Sequence, residues 1–309
     1  MNGRIELVVP LEWEALAKHA LSVIKQGCVK VMVVGGVDSG KTTLCKYLVA
    51  RACTAGTTVG LVDADVGQST LGPSSTIGAK ILHKPEDAFC DDVRPPFMRF
   101  VGGMSPSGRI SACVVGARRA LDWVHENGAQ FIVIDTTGLV DGELGKELKT
   151  RKVDLLAPDI LVAIAREAEL EHILAPLEEL GVPVERLRRS EAAVVRSPST
   201  RQKFRLDKFQ EYFRNSSLHE FSFDQLAIAD CPSNFAQHFA PAQIISTLPL
   251  LERWALVGLL VGLEDTTGRC LAVGLIESFD AEAKRMTVRA PAVETGRVRC
   301  MRIGRSGIE

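Results

Sequence analysis

The segment Gly35-Gly36-Val37-Asp38-Ser39-Gly40-Lys41-Thr42-Thr43 has the spacing G-x-x-x-x-G-K-[ST]. Glycines let a backbone turn its N–H groups inward on an anion. A lysine just after them reaches phosphate oxygens, and the adjoining threonine hydroxyl suits Mg²⁺. The stretch that follows, Lys41–Ala52, is helix-compatible, so a positive helix end would face the same anion. Together these residues read as a cradle for a nucleoside triphosphate with Mg²⁺.

Two further groups could work on a phosphoryl group. Gly60-Leu61-Val62-Asp63-Ala64-Asp65-Val66-Gly67-Gln68 puts two carboxylates at the end of an apolar run. A carboxylate here, Asp63 or Asp65, would hold hydrated Mg²⁺ with Thr42, and the presence of a second suggests a task beyond the metal, such as accepting a proton from an attacking hydroxyl. Strand alternation sets both on one face unless a local turn intervenes. Between 185 and 214, nine basic side chains stand against four acidic ones, in a chain whose formal charge is −1. Arg201 and Arg205 are four apart and would share a helix face. Guanidinium forks suit phosphate oxygens and the charge that develops in phosphoryl transfer. Ser105-Pro106-Ser107-Gly108 reads as a turn.

These groups need elements to position them. Trp13, Leu16, Ala17, Ala20, Leu21 and Ile24 predict one face of a helix. Val29–Val34 predicts a buried strand, with further strands over Thr58–Val62, Arg99–Val101, Phe131–Ile134 and Ile160–Ile164. Helix-compatible stretches at Ile110–Glu126 and Ala168–Leu180 alternate with them. The pattern is α/β, with a mostly parallel sheet flanked by helices. After about residue 215, strand-like runs at Trp254–Leu263, Cys270–Phe279, Arg285–Ala290 and Arg297–Ile303 predict a small C-terminal antiparallel β domain or barrel. The expected organisation is an N-terminal helical segment over 1–28 and a P-loop domain over 29–215, with a basic lid at about 190–214. A connector around Cys231–Gln243 and the β domain fill 216–309. No apolar run approaches the roughly 20 residues of a membrane span. The eight cysteines form no CxxC pair, and acids occupy the place of an export signal, so the expectation is a cytoplasmic protein that contacts no membrane.

No guanine-reading Asn/Thr-Lys-x-Asp loop and no LSGGQ signature occurs. The chain resembles the polynucleotide 5′-hydroxyl kinases, which include the RNA kinase of the mRNA 3′-end cleavage machinery and the ribosomal-RNA-processing kinase. Five ordered blocks carry the resemblance: the P-loop at 35–43, Asp-x-Asp-x-Gly-Gln at 63–68, and Phe-Val-Gly-x-x-Ser-Pro-x-Gly at 100–108. Asp-Thr-Thr-Gly-Leu-Val-x-Gly-x-x-Gly at 135–145 and the arginine-spaced Arg196, Arg201 and Arg205 complete them. The resemblance implies that Lys41 and Thr42 hold ATP and Mg²⁺, that Asp63 and Asp65 are the Walker-B-type carboxylates, and that Asp65 faces the substrate 5′-hydroxyl beside Gln68. It further implies that Thr136-Thr137-Gly138 is a phosphate-gripping clasp and that the arginines form a lid. Leu139 stands where relatives often carry Trp, and the larger relatives' separate N-terminal domain is not expected here. The implied activity is ATP/Mg²⁺-dependent phosphorylation of the 5′-hydroxyl of RNA, with DNA 5′ ends as a second acceptor. A kinase for a small hydroxylated metabolite and a non-catalytic ATP-binding adaptor are the rival readings.

Overall fold

The structure is a computed structural model that describes residues 9–24, 27–191, 193–222, 226–229, 256–280 and 283–308. The connector expected over Cys231–Gln243 lies outside these residues. The chain is α/β, with a seven-stranded sheet of order β4-β3-β2-β5-β1-β6-β7 and a six-stranded sheet of order β8-β12-β11-β10-β13-β9. Its contacts divide it into two compact units. One comprises Met1–Val62, Ile81–Cys90 and Val124–Val195; the other comprises Asp63–Lys80, Asp91–Trp123 and Arg196–Glu309.

In the first unit, β1 (Val29–Gly35) pairs in parallel with β5 (Phe131–Thr136) and with β6 (Ile160–Ala165), and β6 pairs in parallel with β7 (Val184–Arg188). The inner strands are β-branched runs with almost every residue buried, as parallel strands covered on both faces require. The strand β2 (Val59–Ala64) leads out of this unit. Helix α1 (Leu11–Val23) buries Trp13, Leu16, Ala17 and Ala20, the expected face, and packs on α2 (Lys41–Thr54). Glu14 ties the two helices, accepting from the Tyr47 hydroxyl at 2.5 Å and from Arg51 at 2.8 Å. The Tyr47 hydrogen bond holds the Glu14 carboxyl below its usual range, and burial pushes the phenol up to about 12.

Helices α4 (Gly142–Leu156) and α5 (Glu171–Glu179) pack on each other. The sequence does not announce α4, because its inward face carries Lys149 and Lys152, both fully buried, among few apolar residues. Arg186 on β7 forks onto Glu171 at 2.9 and 3.0 Å and onto Glu178 at 2.6 Å, which removes it from the basic surface counted above.

In the second unit, β3 (Thr76–Leu82) pairs antiparallel with β4 (Phe97–Phe100). Gly78 and Lys80 hide β3 from pattern reading. Gly78 is there because a Cβ would sit 2.2 Å from the Leu71 carbonyl oxygen. Helices α3 (Ile110–Glu126) and α6 (Pro198–Phe213) follow, α6 starting at a Ser197 cap that accepts from the Thr200 N–H. The second sheet consists of β8 (Ser216–Ser222), β9 (Ala227–Ala229), β10 (Leu260–Glu264), β11 (Cys270–Asp280), β12 (Arg285–Pro291) and β13 (Cys300–Ile303). It is antiparallel except for β9, which joins β13 in parallel. Of the strand expected over Trp254–Leu263, residues 254 and 255 lie outside the described residues; within them a turn with Gly258 at φ +86° precedes the strand, which starts at Leu260. Phe209 and Tyr212 of α6 share a core with Phe100, Leu260 and Val273, and the buried Tyr212 hydroxyl accepts the Val273 N–H at 2.8 Å.

Arg186 holds both of its carboxylates below their usual range through its hydrogen bonds. A carboxylate lowered in the folded state adds stability above its unfolded value, and that share is lost as pH falls through the lowered value. Arg186→Gln will therefore reduce the thermal midpoint at neutral pH and leave it close to wild type at a pH where both carboxylates are protonated. Melts across the acid limb measure this.

Candidate active site

Strand β1 ends at Gly35, where a Cβ would meet the Ile164 carbonyl oxygen and Ser39 Oγ, each at 2.6 Å. Asp38 at φ +54° and Gly40 at φ +98° then wind the loop, with Gly40 as the N-cap of α2. The first turn of α2 carries no acidic residue, so its unpaired N–H groups and dipole present an undiluted positive end. Lys41 is buried within the loop, its Nζ donating to the Gly36 carbonyl at 2.6 Å. The Thr42 hydroxyl donates to Asp135 Oδ2 at 2.6 Å.

Asp135 is a carboxylate the sequence reading left without a role of its own. It stands opposite Val33 in the β1–β5 register and is 4% exposed. The available signal was the apolar run Phe131–Ile134 stopping on an acid beside the phosphate-loop strand. Thr136, expected to grip phosphate, is fully buried. Its hydroxyl donates to the Val33 carbonyl at 2.8 Å and accepts from Lys149 Nζ at 2.9 Å, so it clips β5 to β1 instead. Lys149 also donates to the Thr137 carbonyl. Beyond it, Gly138 packs directly on the phosphate loop: a Cβ there would lie 2.7 Å from Val37 Cα and 2.8 Å from Val37 N. The same turn is held from behind by His172, whose Nε2 bonds the Val140 carbonyl at 2.9 Å. Gly145 backs it as well, with room for no Cβ against Val140.

In the second unit, Asp63 and Ala64 end β2, and a tight loop begins at Asp65. Asp63 is 2% exposed. Its Oδ1 accepts the Asp65 N–H at 3.0 Å, while Oδ2 accepts from the N–H groups of Thr70 and Leu71 and the hydroxyls of Ser69 and Thr70, at 2.6–3.3 Å. Four donors crowd Oδ2, while Oδ1 takes one. These bonds give Asp63 the task of folding the loop, a task the expected metal role did not include. Asp65 is half-buried, and its Oδ1 accepts from Gly67 and Gln68 at 2.9 and 3.1 Å. Its Oδ2 bonds to nothing among the described residues. Gln68 Nε2 donates to the Arg201 carbonyl at 3.3 Å, which brings the start of α6 to this loop, and its buried Oε1 has no donor. Arg201 and Arg205 are half-buried along the same helix, whereas Lys203 is exposed and pairs with Asp207. Arg196 lies 6.0 Å from the Phe204 ring. No cluster of three potential metal-binding His, Cys, Asp or Glu side chains exists among the described residues, and no helix there is long and apolar enough to cross a membrane.

Residues 35–215 match the family described as mRNA cleavage and polyadenylation factor CLP1 P-loop. The chain belongs to that family. Within and around the CLP1 family, the chain is 30% identical to the polyribonucleotide 5′-hydroxyl-kinase of Pyrococcus furiosus, covering 96% of this chain and 92% of the relative. Its identity to the kinase of the same name from Methanocaldococcus jannaschii is 29%, covering 94% and 91%. For that from Thermococcus kodakarensis it is 32%, covering 89% and 87%. Among solved structures, Clp1p in a Clp1p–Pcf11p complex matches with a TM-score of 0.69 at 12% identity, over 96% of this chain and 78% of that one. The CLP1 fold therefore extends through both sheets.

Lys149 donates to two buried oxygens of the 136–138 turn, so removing its ammonium strands both acceptors. Lys149→Met is expected to lower the unfolding free energy by roughly 1–3 kcal/mol. Urea titration of the variant against wild type gives the value.

Proposed function

We propose that this protein is a kinase that transfers the γ-phosphoryl group of ATP to the 5′-hydroxyl of polyribonucleotides. The observation that carries the reading is a complete phosphate cradle in a chain that matches polyribonucleotide 5′-hydroxyl-kinases over about nine-tenths of both lengths.

The residues fit ATP and Mg²⁺. The loop N–H groups and the α2 N-terminus would receive the β-phosphate, with Lys41 reaching the β- and γ-oxygens. Thr42 and Asp135, already joined by a 2.6 Å hydrogen bond, are the pair that would hold Mg²⁺. Bound there, the metal would neutralise charge on the β,γ-phosphates. Thr137 and Gly138 close the cradle from the side where Gly138 touches Val37. Asp65 uses Oδ2 to orient the 5′-hydroxyl and take its proton as O5′ bonds to the γ-phosphorus and the bond to the β-phosphate oxygen breaks, releasing ADP. Gln68, with its unmatched Oε1, suits a sugar hydroxyl donor beside it. Arg196, Arg201 and Arg205 supply positive charge for the transition state.

Incubation with γ-labelled ATP and RNA oligonucleotides bearing either a 5′-hydroxyl or a 5′-phosphate tests the reading. Label on the former alone is expected. Label on neither, with tight ATP binding, would favour an adaptor, and label on a small polyol alone would favour a metabolite kinase. Lys41→Ala should abolish transfer. Asp65→Asn should cut kcat roughly 100-fold or more while leaving ATP affinity unchanged. Gly138→Ala forces a methyl against Val37 backbone atoms that cannot yield cheaply. It should weaken the binding of a fluorescent ATP analogue by about tenfold, a loss of ~1.4 kcal/mol.

A further inference from the structure

The second unit contains a cleft of about 390 Å³ away from any residue assigned above, lined among others by Arg94, Arg269, Arg297, Glu294, Met98 and Val293. That volume lies within the range of about 300–1,000 Å³ typical of small-ligand pockets. Three guanidinium groups against one carboxylate make it a positive spot on a chain that is close to neutral overall. Two of the three are held in place by the protein. Arg94 donates Nη2 to the Ala292 carbonyl at 2.9 Å, and Arg269 donates Nη2 to the Pro96 carbonyl. Each has five N–H donors, so one carbonyl contact fixes the plane and leaves donors for a ligand. The third, Arg297, is about half-exposed and only loosely paired, 3.8 Å from Glu294. Guanidinium forks pair with the oxygens of a phosphate or a carboxylate and not with a cation, and the anion that an RNA acceptor brings is its phosphodiester.

The cleft is joined to the Asp65–Gln68 loop within the same unit by hydrogen bonds of the backbone and of two aspartate carboxylates. Asp63 folds the loop through Thr70 and Leu71. The Thr70 carbonyl accepts the Asp92 N–H at 3.0 Å, and Gly72 donates to the Asp92 carbonyl at 2.7 Å. The Asp92 carboxylate in turn accepts the Arg94 N–H at 3.0 Å. From the other side, Lys208 of α6 pairs with Asp91 at 2.7 Å. The loop that carries Asp65, the helix that carries Arg201 and Arg205, and the segment that carries Arg94 thus form one braced assembly.

We propose that this cleft takes a phosphodiester of the acceptor RNA downstream of the 5′ end that is phosphorylated, a reading that rests on the kinase assignment. Strand binding is dominated by such phosphate contacts, and each one neutralised by arginine adds to the salt dependence.

The test uses the full chain and Arg297→Gln, a substitution at an exposed side chain, with thermal melts to confirm the fold. Fluorescence anisotropy of a 5′-phosphorylated RNA oligonucleotide over a salt series reads binding without turnover. Arg297→Gln should weaken it several-fold and reduce the slope of log K against log salt by about 0.7, the single-strand value per phosphate. Arg297→Lys should restore the slope. With γ-labelled ATP, the KM for a long 5′-hydroxyl strand should rise more than the KM for a 5′-hydroxyl dinucleotide. An unchanged salt slope, or equal rises for dinucleotide and long strand, overturns the proposal. So does a thermal shift with inorganic phosphate that is lost in Arg297→Gln while RNA affinity holds, which would assign the cleft to a free anion. Failure of the kinase assignment looks different: no RNA is labelled, while anisotropy still reports on the cleft.

Discussion

The parallel pairing of β1 with β5 is the constraint on which the cradle depends. Its register sets Val33 opposite Asp135, which puts the carboxylate 2.6 Å from the Thr42 hydroxyl in the first turn of α2. A two-residue slip of β5 would carry Asp135 about 7 Å along the strand, and a one-residue slip would turn it to the opposite face. The Thr136 hydroxyl, bonded to the Val33 carbonyl, pins that register at the strand ends, where ladders fray most easily. A side chain that reads as a ligand contact thus serves the geometry instead, and does so from a fully buried position.

The same economy governs the turn after β5. A buried ammonium would be costly unless its hydrogens were matched. Lys149 meets that condition against the Thr136 hydroxyl and the Thr137 carbonyl. The consequence is a turn fixed from behind by α4 and His172 and pressed in front against Val37. Glycine is required at 138 by contact, not by backbone dihedral.

Carboxylates in the Asp-x-Asp loop divide by environment. Asp63, still within β2, organises five donors from 65 to 71. Asp65 uses one oxygen for the turn and keeps the other outward. Equal residue types at adjacent alternating positions therefore end with unlike chemistry. The basic segment divides in the same way: Arg186, Lys203 and Lys208 are matched by acids, and the half-buried Arg201 and Arg205 lie along α6 near the Gln68 contact.

Local pattern alone determined a good deal. The G-x-x-x-x-G-K-T spacing, the β-branched runs of β1, β5 and β6, the α1 face and the exact span of α3 are properties of short segments, legible because period and turn chemistry act within a few residues. Strand β3 and helix α4 were hidden because Gly78, Lys149 and Lys152 are suited to neighbours distant in sequence and so break the local pattern. The choice of Asp135 beside Thr42, the inward turn of Thr136 and the loop-folding bonds of Asp63 were decided by tertiary structure. Which oxygens a residue meets depends on strand register and loop reversal, and those follow from pairings across about 90 residues of chain rather than from the identity of the residue itself.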